Sequence, residues 1–491
     1  MVDAWVESEF ETLDFGDMRL NRRAKSFVSE AACIGDSNPD RCRKPGSLKA
    51  TYRMVDNPKV GASKLFEAHN AATRERCRDQ SLVYLAQDTS EFDLTKAKTV
   101  VEGAGVLGGR KNRRGFYFHP SWAISADGVA LGQVDQIIWT RDPQSLEASS
   151  KQRQAQRRKM CFEEKESARW VEILQSNEQL ARSVPETSFV SVADSEADIC
   201  DLFAHANDFP TNFDLIIRAG RHHDVASVID VGTGNPMSGV STVDEALQAA
   251  TPRFCKKVSV GYRPASKLPS HKDCVRQQER SARDAVLTIR TITVTLKGPR
   301  TAGGGHVADS TVNIVELLEY SPPEGEPPIR WVLYTTLPVE TEEEVLAVIG
   351  GYCKRWNIEL YFKTLKSGLK VESMRYKTLS RYLNAFAMLA VVAWRVEYLK
   401  TAVRADPDAP CSKYFSTDQW VAIVTFSKQE PADRNQPPTM QEFLIIVSQL
   451  GGYINKKSQG PPGSRTIWRG MSRFETIVQA FQIYSEMTCG V

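Results

Sequence analysis

Apolar positions recur along this chain with two different periods, and the switches between them divide it. Up to about residue 75 the spacing is helical, with breaks at Gly35-Asp-Ser-Asn-Pro39 and Asn57-Pro58, where Gly and Pro interrupt the periodicity. The pattern then tightens. Leu82-Val-Tyr-Leu-Ala86 is an apolar strand running into Gln87 and Asp88, Phe116 to Ile124 a second and Val129 to Ile138 a third, with an Asp127-Gly128 turn joining the last two as a hairpin. A helical pattern follows through Trp170 and Leu174. Phe189-Val-Ser-Val-Ala193 is a strand ending at Asp194, Ser195 and Asp198 have the spacing of a helix start, and Phe213 to Arg218 is a further strand. Three antiparallel strands followed by alternating helix and strand predict an α/β, ribonuclease-H-like sheet.

That order is interrupted between about 221 and 328. Strand patterns such as Ala285 to Val294 and a Gly303-Gly-Gly305 loop fill this stretch, with helical spacing at Val243 to Ala250. It reads as a mostly β insertion, closed by Pro322-Pro323 and Pro327-Pro328. Trp331 to Thr336 resumes as a strand and Glu342 to Lys366 as a helical region. The remainder is helical, broken at Asp406-Pro-Asp-Ala-Pro410 and Gly460-Pro-Pro-Gly463. The expected division is therefore 1–75 helical, 76–220 and 329–376 as two parts of one α/β domain, 221–328 as the insertion and 377–491 helical.

Composition changes this picture little. At 491 residues several domains are required. A net charge of +3 neither demands nor excludes nucleic acid, but basic residues cluster at Arg19 to Arg23, Arg41 to Lys44, Arg110 to Arg114 and Lys151 to Lys159. Each cluster is either a solvated face or a phosphate-binding patch. Ten cysteines, with no C-x-x-C pair, argue against zinc and for a reducing compartment. The start lacks a signal-peptide pattern and the apolar run at Phe386 to Trp394 is too short to span a bilayer. A soluble, cytoplasmic protein is expected.

Candidate chemistry centres on Tyr352, Arg355, Glu359 and Lys366. On a uniform α-helix the last three fall roughly 300°, 340° and 320° around the axis from Tyr352, so all four share a stripe about 60° wide. Ile358, Tyr361, Phe362 and Leu365 occupy an adjoining arc that can face a core. An isolated Arg355–Glu359 pair would be an ordinary surface ion pair, but that does not account for Tyr352 and Lys366. Asp88 and Asp194 each end an apolar strand, where a charge is costly unless paired or metal-bound. Neighbouring strands would bring them together, and a helix carrying Glu359 would close the cluster. Oxygen-only ligands favour Mg²⁺, with Mn²⁺ as a substitute. Glu91, Asp93 and Asp198 are competing acids, but of the acids near the first strand only Asp88 ends the apolar run.

The Tyr-Arg-Glu-Lys spacing resembles the signature of the insertion sequence family 4 transposases. The likeness extends through Gly16-Asp17-x-Arg19, Tyr52-Arg-x-x-x-Asn57-Pro58, Asp88-Thr89, Glu164-Lys-Glu-Ser167, Asp194-x-Glu-Ala-Asp-Ile199 and Leu450-Gly-Gly-Tyr453. One departure is Ser195, where relatives commonly have Arg. The resemblance implies an acidic triad of Asp88, Asp194 and Glu359 holding two metal ions for in-line displacement at phosphorus. It implies phosphate-positioning roles for Tyr352, Arg355 and Lys366, a base-stacking role for Trp331, and backbone contacts from Arg218 and Arg221. Residues 1–75 would then bind double-stranded transposon-end DNA. Residues 377–491, with Phe481 and Tyr484 on the final amphipathic segment, would form a homodimer in a synaptic complex. Two other readings stay open: a metal-dependent nuclease of the same fold without strand transfer, and a silent DNA-binding inhibitor.

Overall fold

The computed structural model describes residues 2–33, 42, 45–95, 100–108, 112–142, 160–264, 279–300, 305–456 and 460–489. The break at Gly35–Pro39, most of the Gly303–Gly305 loop and the basic segment 151–159 lie outside them, as do Arg41, Arg43, Lys44, Arg110 and Lys111.

Thirteen strands form one continuous sheet among the described residues. In chain order they are β1 (Leu82–Gln87), β2 (Ser90–Asp93), β3 (Gly105–Val106), β4 (Arg114–Ser125), β5 (Ala130–Trp139), β6 (Ser188–Ala193), β7 (Phe213–Arg218), β8 (Val225–Asp230), β9 (Asn235–Pro236), β10 (Phe254–Val260), β11 (Arg283–Leu296), β12 (Ser310–Glu319) and β13 (Arg330–Thr335). Strand β4 pairs antiparallel with β5 on one side and with β1 and then β2 on the other. The three strands β1, β6 and β7 run parallel. Both faces of these strands are covered, which is why β1 is an almost unbroken apolar run rather than an alternating one.

The insertion is not a separate β body. Strand β13 pairs antiparallel with β7, and β12, β11 and β8 follow outward from it, so the inserted strands extend the central sheet. Pattern reading alone could not reveal this, because an edge that ends a domain and an edge that continues one carry the same alternation.

Helices cover both faces. Those preceding the sheet are α1 (Ala4–Glu9), α2 (Met18–Cys33), α3 (Pro45–Val55) and α4 (Ala62–Arg78). Next come α5 (Ala168–Ser183), α6 (Cys200–His205) and α7 (Val243–Ala249), then α8 (Glu342–Lys354) and α9 (Trp356–Lys363). The last four are α10 (Leu379–Ala405), α11 (Thr417–Lys428), α12 (Met440–Leu450) and α13 (Ser464–Cys489). Helix α10 is apolar nearly all round because it is enclosed by the N-terminal helices, the sheet and the C-terminal helices. Its polar positions tie these layers together. Asn384 donates to the carbonyls of Val55 and Val60 (both 3.1 Å), Trp394 donates to the Ala130 carbonyl (3.1 Å), and Thr401 accepts from the Ala130 amide (2.9 Å). The result is a mixed α/β core of ribonuclease-H-like order flanked by helical regions at both ends. No described helix is long and apolar enough to cross a membrane.

The region from Glu342 to Lys366 is not one uniform α-helix. Thr341 and Glu344 form a capping box at the start of α8. At Arg355 the ladder tightens: its amide donates to the Tyr352 carbonyl and the Ile358 amide to the Arg355 carbonyl, both at 3.1 Å. After α9, residues Thr364–Gly368 widen into a π turn, with the Leu369 amide bonded to the Thr364 carbonyl (2.8 Å). The even 100° step assumed from sequence therefore fails at both ends of the stripe. The core face survives: Ile358, Tyr361, Phe362 and Leu365 are all buried.

Candidate active site

Two of the three acids are brought together by strand pairing. In the parallel β1–β6 ladder Gln87 is the partner of Ala193, so Asp88 and Asp194 leave neighbouring strands at the same level. Asp88 falls at the break between β1 and β2, where its carboxylate accepts from the Thr89 amide (2.7 Å). Asp194 accepts from the Glu196 amide (2.9 Å) and caps the 3₁₀ turn Ser195–Ala197. The Ser195/Asp198 spacing is thus not a capping pair. Asp198 is buried and bonds the amides of Gly220 and Arg221, and helix α6 begins only at Cys200.

The third acid reaches the pair through Arg355. Its Nη1 meets Asp88 Oδ2 at 3.2 Å and its Nη2 meets Glu359 Oε1 at 2.6 Å. Burial, together with the Asp194 and Glu359 carboxylates, pushes the Asp88 carboxyl up to about 7, against the pull of Arg355. As arranged, no three carboxylate, imidazole or thiol groups among the described residues stand close enough to hold a metal ion. A guanidinium fills the gap between Asp88 and Glu359 instead.

The other predicted residues fall into two places. Tyr352 is buried, its hydroxyl has no hydrogen-bond partner, and Trp331 stands edge-on to its ring at 5.2 Å. The guanidinium of Arg355 lies 5.8 Å from the same ring. Arg218 ends β7 opposite Leu333 and, with Arg221 and Trp331, lines a cavity of about 430 Å³. Lys366 lies apart from this cavity on the π turn, its ammonium 5.0 Å from the Phe92 ring and facing Glu372 and Glu91. Burial lowers its pKa from the usual lysine range. Of the competing acids, Glu91 and Asp93 are both bound by Arg113 (2.8 and 3.0 Å).

Two cationic residues escaped the sequence reading. Arg330 lines the cavity beside Trp331 and pairs with Asp244 and Glu316. Arg169, at the start of α5, donates to Thr89 Oγ1 (3.2 Å), Glu196 (2.8 Å) and the Glu166 carbonyl (2.6 Å). It thereby fastens the loops that follow Asp88 and Asp194. Its position two residues past Glu164-Lys-Glu-Ser167 is the only signal that could have singled it out.

Residues 147–395, half of the chain, match the family model "Transposase DDE domain", which takes in Asp194 and Glu359 but starts after Asp88. Residues 2–60 match "Transposase DNA-binding" and residues 391–487 match "Transposase Tn5 dimerisation domain". Among solved structures, a cryo-EM structure of the piggyBac transposase synaptic complex with hairpin DNA is similar at 10% identity and a TM-score of 0.33, over 95% of this chain and 76% of that one. With the three family matches in one chain, and in this order, the protein belongs to the DDE-domain transposases related to the Tn5 type, enzymes that act on DNA.

Proposed function

We propose that the chain is a cut-and-paste transposase of insertion sequence family 4, akin to the Tn-five transposase, that works with Mg²⁺ or Mn²⁺. The observation that carries this reading is the Arg355 bridge from Asp88 to Glu359 at the strand ends shared by Asp88 and Asp194. Crowded carboxylates need a counter-charge, and Arg355 supplies one. The donor set is all oxygen, which suits a hard divalent cation, so Asp88, Asp194 and Glu359 would hold it once Arg355 withdraws. A divalent cation held by these three carboxylates would supply Lewis-acid activation of water or of a DNA 3′-hydroxyl and charge stabilisation at the leaving oxygen.

The remaining roles belong to the chain's own side chains. The Tyr352 hydroxyl, buried and without a protein partner, would donate to a phosphate oxygen once DNA uncovers it, and Arg355, freed from the acids, would turn to the same backbone. Lys366, on the π turn, would hold the DNA backbone at a further phosphate. Trp331 borders a cavity flanked by Arg218 and Arg221, suited to an unstacked base beside its phosphates. Residues 1–75 would bind the element's ends and 377–491 would pair two copies. Tyr484 and Met487 expose apolar surface on α13.

Glu359→Gln is the direct test. The variant should bind end DNA as the wild type does and lose Mg²⁺-dependent cleavage by at least about a thousandfold, which corresponds to roughly 4 kcal/mol of transition-state stabilisation. Undiminished cleavage would show that the site lies elsewhere. A precut end supplied with supercoiled target separates transposition from simple hydrolysis: joined product supports the proposal, and nicking without joining leaves a nuclease.

A further inference from the structure

Outside the acidic site, three side chains line up in an order that the phosphoryl chemistry does not use. His223, in the loop after β7, is buried between two rings held edge-on to it, Phe203 at 5.9 Å and Tyr334 at 5.7 Å. Its Nε2 is 2.5 Å from Asp198 Oδ1, and its Nδ1 is 3.6 Å from Cys200 Sγ. Asp198 is fully buried, and its other oxygen accepts from the amides of Gly220 and Arg221, both at 2.7 Å. The carboxylate is therefore fixed, the ring is fixed by it, and the free ring nitrogen is aimed at sulfur.

The sulfur is reachable. Cys200 is partly buried and lines, with His223, a cavity of about 460 Å³ also bordered by His222, Asp224, Lys297, His306 and Asp309. Of the other described cysteines, Cys42, Cys77 and Cys411 are buried, and Cys161, Cys255 and Cys353 are exposed. Only Cys200 among the described residues faces an imidazole.

We propose that Cys200 is a nucleophilic thiol, partnered by His223 and oriented through Asp198, that is oxidised by a small hydroperoxide entering this cavity. A carboxylate-held imidazole beside a cysteine is an arrangement that activates sulfur. Sulfur attacks one peroxide oxygen, the S–O bond forms and the O–O bond breaks. Sulfur is oxidised by two electrons to the sulfenic acid, and the departing hydroxide takes the proton shared by the Cys200–His223 pair and leaves as water. The sum is Cys–SH + H₂O₂ → Cys–SOH + H₂O. His223 is suited to hold that proton, since the Asp198 and Cys200 contacts push its pKa up to about 9 despite the opposing effect of burial. The same Asp198 holds the backbone that carries Arg221, so the modified sulfur sits one residue contact away from a loop at the edge of the proposed DNA site.

The test uses the full chain with limiting hydrogen peroxide, dimedone to trap the sulfenic acid, and peptide mass spectrometry to read each cysteine. Cys200 should be labelled at least tenfold faster than Cys161 and Cys255 in the same molecules. Labelling of all three at one rate would overturn the proposal without any variant being made. His223→Gln should bring Cys200 down to the rate of Cys255 while Cys161 is unchanged. A folded His223→Gln protein, judged by circular dichroism, that keeps fast Cys200 labelling would overturn the role of the imidazole. This experiment does not depend on DNA cleavage, so its outcome stands apart from that of the Glu359 variant.

Discussion

Arg355 and Asp88 are 267 positions apart in the chain, yet the Arg355 Nη1 meets the Asp88 carboxylate at 3.2 Å while its Nη2 holds Glu359 at 2.6 Å. One buried cation thus joins the end of the first strand to the helix that carries the third acid. Removing it leaves crowded carboxylates without a counter-charge. Arg355→Ala should lower the stability of the metal-free chain by about 2–3 kcal/mol. Added Mn²⁺ should then raise its melting temperature by more than it raises that of the wild type. An unchanged melting temperature in both conditions would rule out the bridge as a structural link.

Asp88 itself strains the fold. Its folded-state pKa of about 7 lies above the ordinary carboxylate value. The protonated acid's contribution is full below about pH 4 and is lost as pH rises through about 7. Above pH 7 the chain carries the whole cost of an ionised, crowded group. Asp88→Asn should therefore be more stable than wild type at pH 8 by on the order of 2 kcal/mol, with allowance for solvent screening, and should lose cleavage. Denaturant melts at pH 4 and pH 8 check this, because the gain should be absent at the lower pH.

The His223–Asp198 pair has the complementary dependence. With the imidazole pushed up to about 9, its stabilising effect is complete below the unfolded value near 6.5 and fades as pH rises through 9. Asp198→Asn should cost about 3–5 kcal/mol at pH 6 and much less at pH 10, as expected for a broken buried pair. A deficit of equal size at both pH values would mean that the loss comes from the Gly220 and Arg221 amide bonds instead.

Two adjacent glycines on α8 should respond oppositely to the same change. A Cβ at Gly351 would lie 2.6 Å from Tyr84 Cε1 and 2.9 Å from Ile216 Cδ1, both in the core, whereas at Gly350 it would meet nothing within 4 Å. Gly351→Ala should destabilise by about 1–3 kcal/mol by lifting the helix off the sheet. It should also weaken cleavage, since that helix carries Tyr352 and leads to Arg355. Gly350→Ala should stabilise by about 0.5–1 kcal/mol. Thermal melts of the two variants side by side decide whether close packing of α8 sets the position of the site.

Much of the fold was legible because its signals are local. The strands beginning at Leu82, Ser188 and Phe213 announce themselves as short apolar runs, and the turn at Asp127-Gly128 as a residue pair suited to positive φ, which Gly128 adopts at 88°. Asp88 and Asp194 were likewise visible as charges at strand ends. Less local features were not. Arg169 and Arg330 look like ordinary surface arginines until packing brings Thr89, Glu196 and Asp244 to them. The cap at Asp194 was misassigned to Ser195 because capping spacing is common and the choice depends on where the strand ends.

The sequence by itself determined the order of elements and the α/β class with its β-rich insertion, and it singled out the candidate acids and the Tyr-Arg-Glu-Lys set. Each follows from periodicity or spacing within a few turns of chain. Only the tertiary structure decided that the insertion extends the central sheet, and that the helical stripe bends through a tightened turn at Arg355 and a π turn at Thr364. It alone also set His223 between Asp198 and Cys200. These outcomes rest on contacts between residues far apart in the chain, whose free energy depends on burial and on neighbours supplied by other elements, and no local pattern encodes that.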